Sequence, residues 1–153
     1  MQPAAALLCG NQLDEIAEAL PQRAAALSRL FLSRTGAQVS RTEAGVLQAL
    51  VAGPQRVTEL AASEGVTQPA ITSLVNRLQR RGWVVRRADP GDRRVVLVAL
   101  TPRGRRAFGE LRAQYRALLH EEVAMLGGDE VETLARAIEI LDGLIERLKE
   151  RDG

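Results

Sequence analysis

Apolar residues recur at helical spacing along most of this chain, and the pattern changes to that of strands at one place near the middle. Leu13, Ile16, Leu20, Ala24, Leu27 and Phe31 follow at steps of three and four, which predicts a helix over 12–33. Pro21 lies inside it and predicts a kink or a break, because proline has no amide hydrogen to donate. Thr35-Gly36-Ala37 ends the run. Ser40-Arg41-Thr42-Glu43 has the form of a capping box, opening a helix that carries Val46, Leu47 and Leu50 and stops at Gly53-Pro54. A short helix follows from Thr58 to Glu64, with Leu60 and Ala61 inward. Gly65 supplies a turn and Val66 a buried anchor. Thr67 is an N-cap and Pro69 falls in the first turn of the next helix, which runs to about Arg81 on an inner face of Ile71, Leu74, Val75 and Leu78. After Gly82 the apolar stretches Trp83-Val84-Val85 and Val95-Val96-Leu97-Val98 read as two short strands. They flank a tight turn, Asp89-Pro90-Gly91-Asp92-Arg93-Arg94. Thr101-Pro102 caps a long helix over about 102–125, with Ala107, Leu111, Tyr115 and Leu118 along it. Gly127-Gly128 interrupts the pattern, and Asp129 caps a last helix over about 130–150. Its apolar positions Val131, Leu134, Ile138, Leu141, Ile145 and Leu148 form a narrow heptad seam.

The segment 57–81 is thus helix, short turn, longer helix, the arrangement in which the second helix enters the major groove of DNA. Its polar face has suitable side chains. Gln68 and Asn76 pair with adenine edges, Arg77 with guanine, and Thr72 or Ser73 with phosphate or a base. Small residues at 70, 72 and 73 let the helix approach the groove floor, and its N-terminal amides favour a backbone phosphate. A hairpin that holds Arg93 and Arg94 just past its tip suits a narrow, electronegative minor groove.

Charge strengthens this picture. The formal net charge is only +2, yet residues 55–106 hold eleven arginines against four acids, a net of +7. The remaining ten basic and fifteen acidic residues leave −5 elsewhere. A basic centre between acidic flanks marks a face for a polyanion. With 153 residues, 46% of them hydrophobic and 26% charged, the chain suits one globular domain, or a small domain whose helical extensions need a partner. No apolar run approaches a membrane span, and the N-terminus lacks the basic start and cleavage pattern of a secretory signal. The single cysteine, Cys9, excludes an internal disulfide, so the expected location is cytoplasmic.

In register, these features resemble the MarR family of bacterial transcriptional regulators. The resemblance is carried by Leu60-Ala61, Val66-Thr67-Gln68-Pro69-Ala70-Ile71-Thr72, Leu78 and Gly82-Trp83-Val84, then by the Asp89 to Arg94 turn and Leu100-Thr101-Pro102-Arg103-Gly104. It covers residues 40–105 closely and the outer helices by architecture. It implies a mainly α fold with a small β-hairpin wing: a winged helix-turn-helix over 36–101, and a helical dimerisation domain from 1–35 and 102–153. It also implies a homodimer whose terminal helices interlock. Leu13, Ile16, Leu20, Leu134, Ile138, Leu141, Ile145 and Leu148 are the candidate contacts. Each subunit would meet one half of a palindromic operator, with the two recognition helices roughly 34 Å apart. The recognition residues are then Thr67, Gln68, Pro69, Ala70, Thr72, Ser73, Asn76 and Arg77. In the wing, Arg94 reaches into the minor groove, Arg93 takes a phosphate or supporting role, and Asp89 or Asp92 braces the turn. The family pattern further implies a repressor that a small aromatic or anionic effector releases.

Other chemistry is thin. Catalysis needs a nucleophile–base pair, a metal cluster or a phosphate-cradling loop. The chain offers one His, one Cys and no glycine-rich loop after a strand, and Glu121-Glu122 point in different directions on a helix. No enzyme activity, cofactor or metal site is expected. His120 reads as a helix-surface or inter-helix residue, and Trp83 as a core anchor between helix and wing. Two other regulators stay open. One is a winged-helix module that binds protein rather than DNA. The other is a redox sensor using Cys9, although Cys9 precedes the first helix beside Gly10, and the only tyrosine is Tyr115.

Overall fold

The computed structural model describes residues 10–34 and 39–151. Cys9 and Thr35-Gly36-Ala37 lie outside the described residues. The chain forms two compact units, Met1–Ala113 and Gln114–Gly153. Among the described residues, six helices and three strands run in the order α1 (Gly10–Arg34), α2 (Arg41–Ala52), β1 (Gln55–Arg56), α3 (Val57–Glu64), α4 (Gln68–Arg80), β2 (Val84–Ala88), β3 (Val96–Leu100), α5 (Pro102–Val123) and α6 (Gly128–Arg151).

Several starts and stops follow from local chemistry. Ser40 and Glu43 close the capping box at α2: the Glu43 amide donates to Ser40 Oγ at 3.1 Å, and Glu43 Oε2 accepts from the Ser40 amide at 2.8 Å. At α3 the Glu59 carboxylate accepts from the Arg56 amide at 2.8 Å. Gly65 ends α3 with φ at +63°, a left-handed conformation that glycine adopts without strain. Val66, expected in the core, is only half-buried. Pro21 neither breaks nor ends α1, which runs through it unbroken. Proline removes one backbone bond, and a helix of 25 residues has enough others to continue.

The core lies in the first unit. Val46, Leu47 and Leu50 of α2, Leu60 of α3, and Ile71, Val75 and Leu78 of α4 are almost wholly removed from water. Full burial of each such side chain stabilises the fold by about 2 kcal/mol. Val84 and Val98 bring the sheet into this core, and Phe108 and Leu111 bring the start of α5. The periodicity of α5 had pointed to Ala107, but Phe108 is the buried side chain and Ala107 only half-buried.

The sheet has three strands where two were expected. β3 is central, antiparallel to β2 from Val84↔Leu100 to Ala88↔Val96, and antiparallel to β1 through Gln55↔Val98 and Arg56↔Leu97. In the second unit α6 begins at Gly128, one residue ahead of Asp129. Asp129 is therefore in the first turn rather than the cap, and Glu130 holds the helix start by accepting from the Gly127 amide at 2.9 Å.

Candidate nucleic-acid interface

α3, the Gly65 turn and α4 make the helix-turn-helix. α4 buries Ile71, Leu74, Val75 and Leu78 and exposes everything between them: Gln68, Pro69, Ala70, Thr72, Ser73, Asn76, Arg77, Gln79 and Arg80. Thr67 precedes it, also exposed, and its hydroxyl accepts from the Ala70 amide at 3.4 Å. The apolar stripe thus fixes the helix on the core, and the small residues 70, 72 and 73 form an outward ledge.

Two contacts hold α4 in place, and neither is visible in the sequence. Glu43 is buried on α2 and takes the Arg77 Nε at 3.4 Å. The carboxylate that caps α2 therefore also positions α4, and Arg77 keeps only its terminal nitrogens for an outside partner. The second contact comes from β2. Arg86 Nη1 donates to Asn76 Oδ1 at 2.9 Å and to Gln79 Oε1 at 2.6 Å, joining the first wing strand to the outer face of α4. No spacing rule finds Arg86, because its partners lie seven and ten residues away on another element.

The turn between β2 and β3 is built by both aspartates. Asp89 Oδ1 accepts from the Gly91 amide at 2.7 Å, and Asp92 Oδ1 accepts from the Arg94 amide at 3.0 Å. Backbone bonds from the Asp89 amide to the Val95 carbonyl and from the Val95 amide to the Asp92 carbonyl, both 2.9 Å, close it. Such Asx turns let a short acidic side chain replace strand pairing at a tight bend. Arg93 and Arg94 project from this braced tip, exposed and with no ion pair among the described residues.

The wing is tied to α5 at its base. Thr101 Oγ1 donates to the Gly82 carbonyl at 2.6 Å and accepts from the Gly104 amide at 3.0 Å, capping α5 as expected. Gly104 packs against the Trp83 carbonyl so closely that an added Cβ would overlap it. Trp83 is half-buried rather than a core residue, with the Arg81 guanidinium 5.2 Å from its ring centre. The junction rests on the Trp83 backbone as much as on its ring. Gly82, at φ +72°, turns the chain from α4 into the sheet.

Beneath the interface, Glu64 of α3 is partly buried where α2 passes close at Gly45. Burial pushes its carboxyl above the usual range, partly offset by the Arg41 guanidinium. Away from the interface, both outer helices expose their apolar stripes. Leu13, Ile16 and Leu20 of α1 are exposed, as are Leu134, Ile138, Ile145 and Leu148 of α6, while Leu141 is half-buried. His120 lies exposed on α5. Among the described residues, no cluster of acids, histidines and cysteines could hold a metal ion, and no helix is long and apolar enough to cross a membrane.

A braced hairpin placed directly after a helix-turn-helix defines a winged helix-turn-helix, the fold class of many transcriptional regulators. The MarR family model matches residues 37–95. The chain is 39% identical over 66 residues to the multiple antibiotic resistance protein MarR of Salmonella typhimurium, covering 42% of this chain and 46% of that protein. It is similar over nearly their whole length to two solved structures. One is a probable transcriptional regulator from Pseudomonas aeruginosa (32% identity, TM-score 0.62, 84% of this chain and 97% of that one). The other is Escherichia coli MarR in its apo form (27% identity, TM-score 0.68, 84% and 96%). The chain spans only about a third to three-fifths of the length of the curated relatives it matches. This chain belongs to the MarR family of transcriptional regulators.

Proposed function

We propose that the chain is a DNA-binding repressor that acts as a homodimer on a palindromic operator and is released by a small aromatic or anionic effector. The observation that carries this reading is the pair of exposed arginines on a wing braced at both ends, beside a helix whose outer face is wholly polar or small. In this reading α4 enters the major groove through Thr67, Gln68, Pro69, Ala70, Thr72 and Ser73. Arg77 offers its remaining nitrogens to guanine, and Asn76 lies at the groove edge. Arg94 enters the minor groove, and Arg93 meets the backbone. Support comes from a similar structure, the transcriptional repressor CouR bound to a 23-mer DNA duplex (26% identity, TM-score 0.63).

Dimerisation belongs to segments 1–35 and 102–153. The support is the exposed apolar stripe on α1 and on α6, which a monomer would leave in water. The regulator's own chemistry is binding, not catalysis. Replacing Arg94 with alanine is expected to weaken operator binding about tenfold while the oligomeric state stays unchanged, consistent with the loss of one charged groove contact. A gel-shift titration of Arg94→Ala that overlays the wild-type curve would remove the wing from the interface.

A further inference from the structure

The outer face of α4 does not end as a set of equivalent polar side chains. Asn76, Gln79 and Arg80 line a shallow cleft at its C-terminal half, where the helix faces β2. Arg86 stands behind two of them, donating one hydrogen of Nη1 to Asn76 Oδ1 and the other to Gln79 Oε1. A guanidinium has donors only, so the carbonyl oxygens of both amides must turn toward it. Their NH2 groups are left for any partner outside. An asparagine that reads adenine needs both its oxygen and its nitrogen. With its oxygen turned toward Arg86, Asn76 presents its NH2 donors on the outward side.

We infer that the Asn76–Gln79–Arg80 cleft seats a single backbone phosphate of duplex DNA, and that Arg86 is the positioning residue that turns both amides into donors toward it. The inference rests on the DNA-binding reading above and changes the part Asn76 plays in it, from reading a base to fixing register. Two amide nitrogens and the exposed Arg80 guanidinium form a donor-only, cationic surface, which matches the acceptor-only oxygens of a phosphate. The cleft lies on α4 beside Arg86 of β2, the strand that leads into the wing, so a DNA backbone followed from α4 toward the wing would pass it.

The test compares an operator selected by the wild-type protein from a randomised duplex pool with a scrambled duplex, by fluorescence anisotropy over a range of salt. Asn76→Ala and Arg80→Gln are each expected to weaken both duplexes by the same factor, roughly five- to tenfold. Arg80→Gln should also flatten the salt slope by about one. In an Arg86→Met background the Asn76→Ala penalty should fall below roughly threefold, because the amide is then no longer oriented. All three changes are at exposed or half-buried positions, and a melting curve for each variant establishes that it is folded. A loss confined to the operator and tied to one base pair would show Asn76 reading a base and overturn the inference. Undiminished binding by both single variants would overturn it too. If the wild type bound neither duplex, the DNA-binding reading itself would fail, an outcome distinct from either of these.

Discussion

Glu43 shows how much one side chain carries here. It closes the cap of α2 with one oxygen and holds Arg77 of α4 with the other, from a buried position. The sequence identified the cap, because Ser40 and Glu43 are three residues apart. It could not identify the ion pair, because Arg77 lies 34 residues on and meets Glu43 only after the core has formed. Arg86 escaped for the same reason, and its effect is to reassign Asn76 from base reader to proposed phosphate donor. Glu64 supplies a test at this scale. Its folded carboxyl titrates above its ordinary range, chiefly because burial penalises the charge. A raised acid favours folding while protonated, so this stabilisation is present below the unfolded range and is lost as pH rises through the folded value. Glu64→Gln is therefore expected to raise the melting temperature at neutral pH. That gain should shrink as pH falls through the raised folded value and be gone below the ordinary glutamate range. A gain independent of pH from neutral to acid would contradict the burial account.

At the scale of elements, what was local was legible. The stripe of α4, the Gly65 turn, the Thr101 cap and the hairpin turn all depend on residues within a few positions of each other, and the structure places them as expected. β1 was not legible, because two residues have no periodicity and Gln55 and Arg56 become a strand only by pairing with β3. Pro21 does not break α1, because it removes one hydrogen bond whereas the helix is held by all the others. The wing depends on Thr101, which clamps the Gly82 carbonyl and the Gly104 amide together. Thr101→Val keeps the shape and removes both bonds. It is expected to cost about 2 kcal/mol of unfolding free energy by urea denaturation. It should also weaken DNA binding by loosening the base of the wing, and a cost within error of zero would show that the clamp is incidental.

On the scale of the whole molecule, the exposed stripes of α1 and α6 are apolar and the centre of the chain is basic, so the two suit partners of different chemistry. The apolar positions suit a second copy of the chain. Replacing Ile138 and Ile145 together with glutamate is expected to shift the protein from dimer to monomer in sedimentation equilibrium, and to lower operator affinity by at least about tenfold as the second half-site is lost. A double variant that sediments like wild type would place the dimer interface elsewhere. The central claim concerns the basic centre: an arginine-tipped wing and a polar recognition helix, held in register by Arg86 and Glu43, bind duplex DNA. The most direct measurement is the affinity of the wild-type protein for duplex DNA, including its selected operator, as salt is raised. The expected result is a fall in log affinity against log salt with a slope of magnitude about four or more, as several phosphates release their counterions. Absence of salt-dependent binding to any duplex would contradict the claim and leave the winged helix as a surface for protein partners.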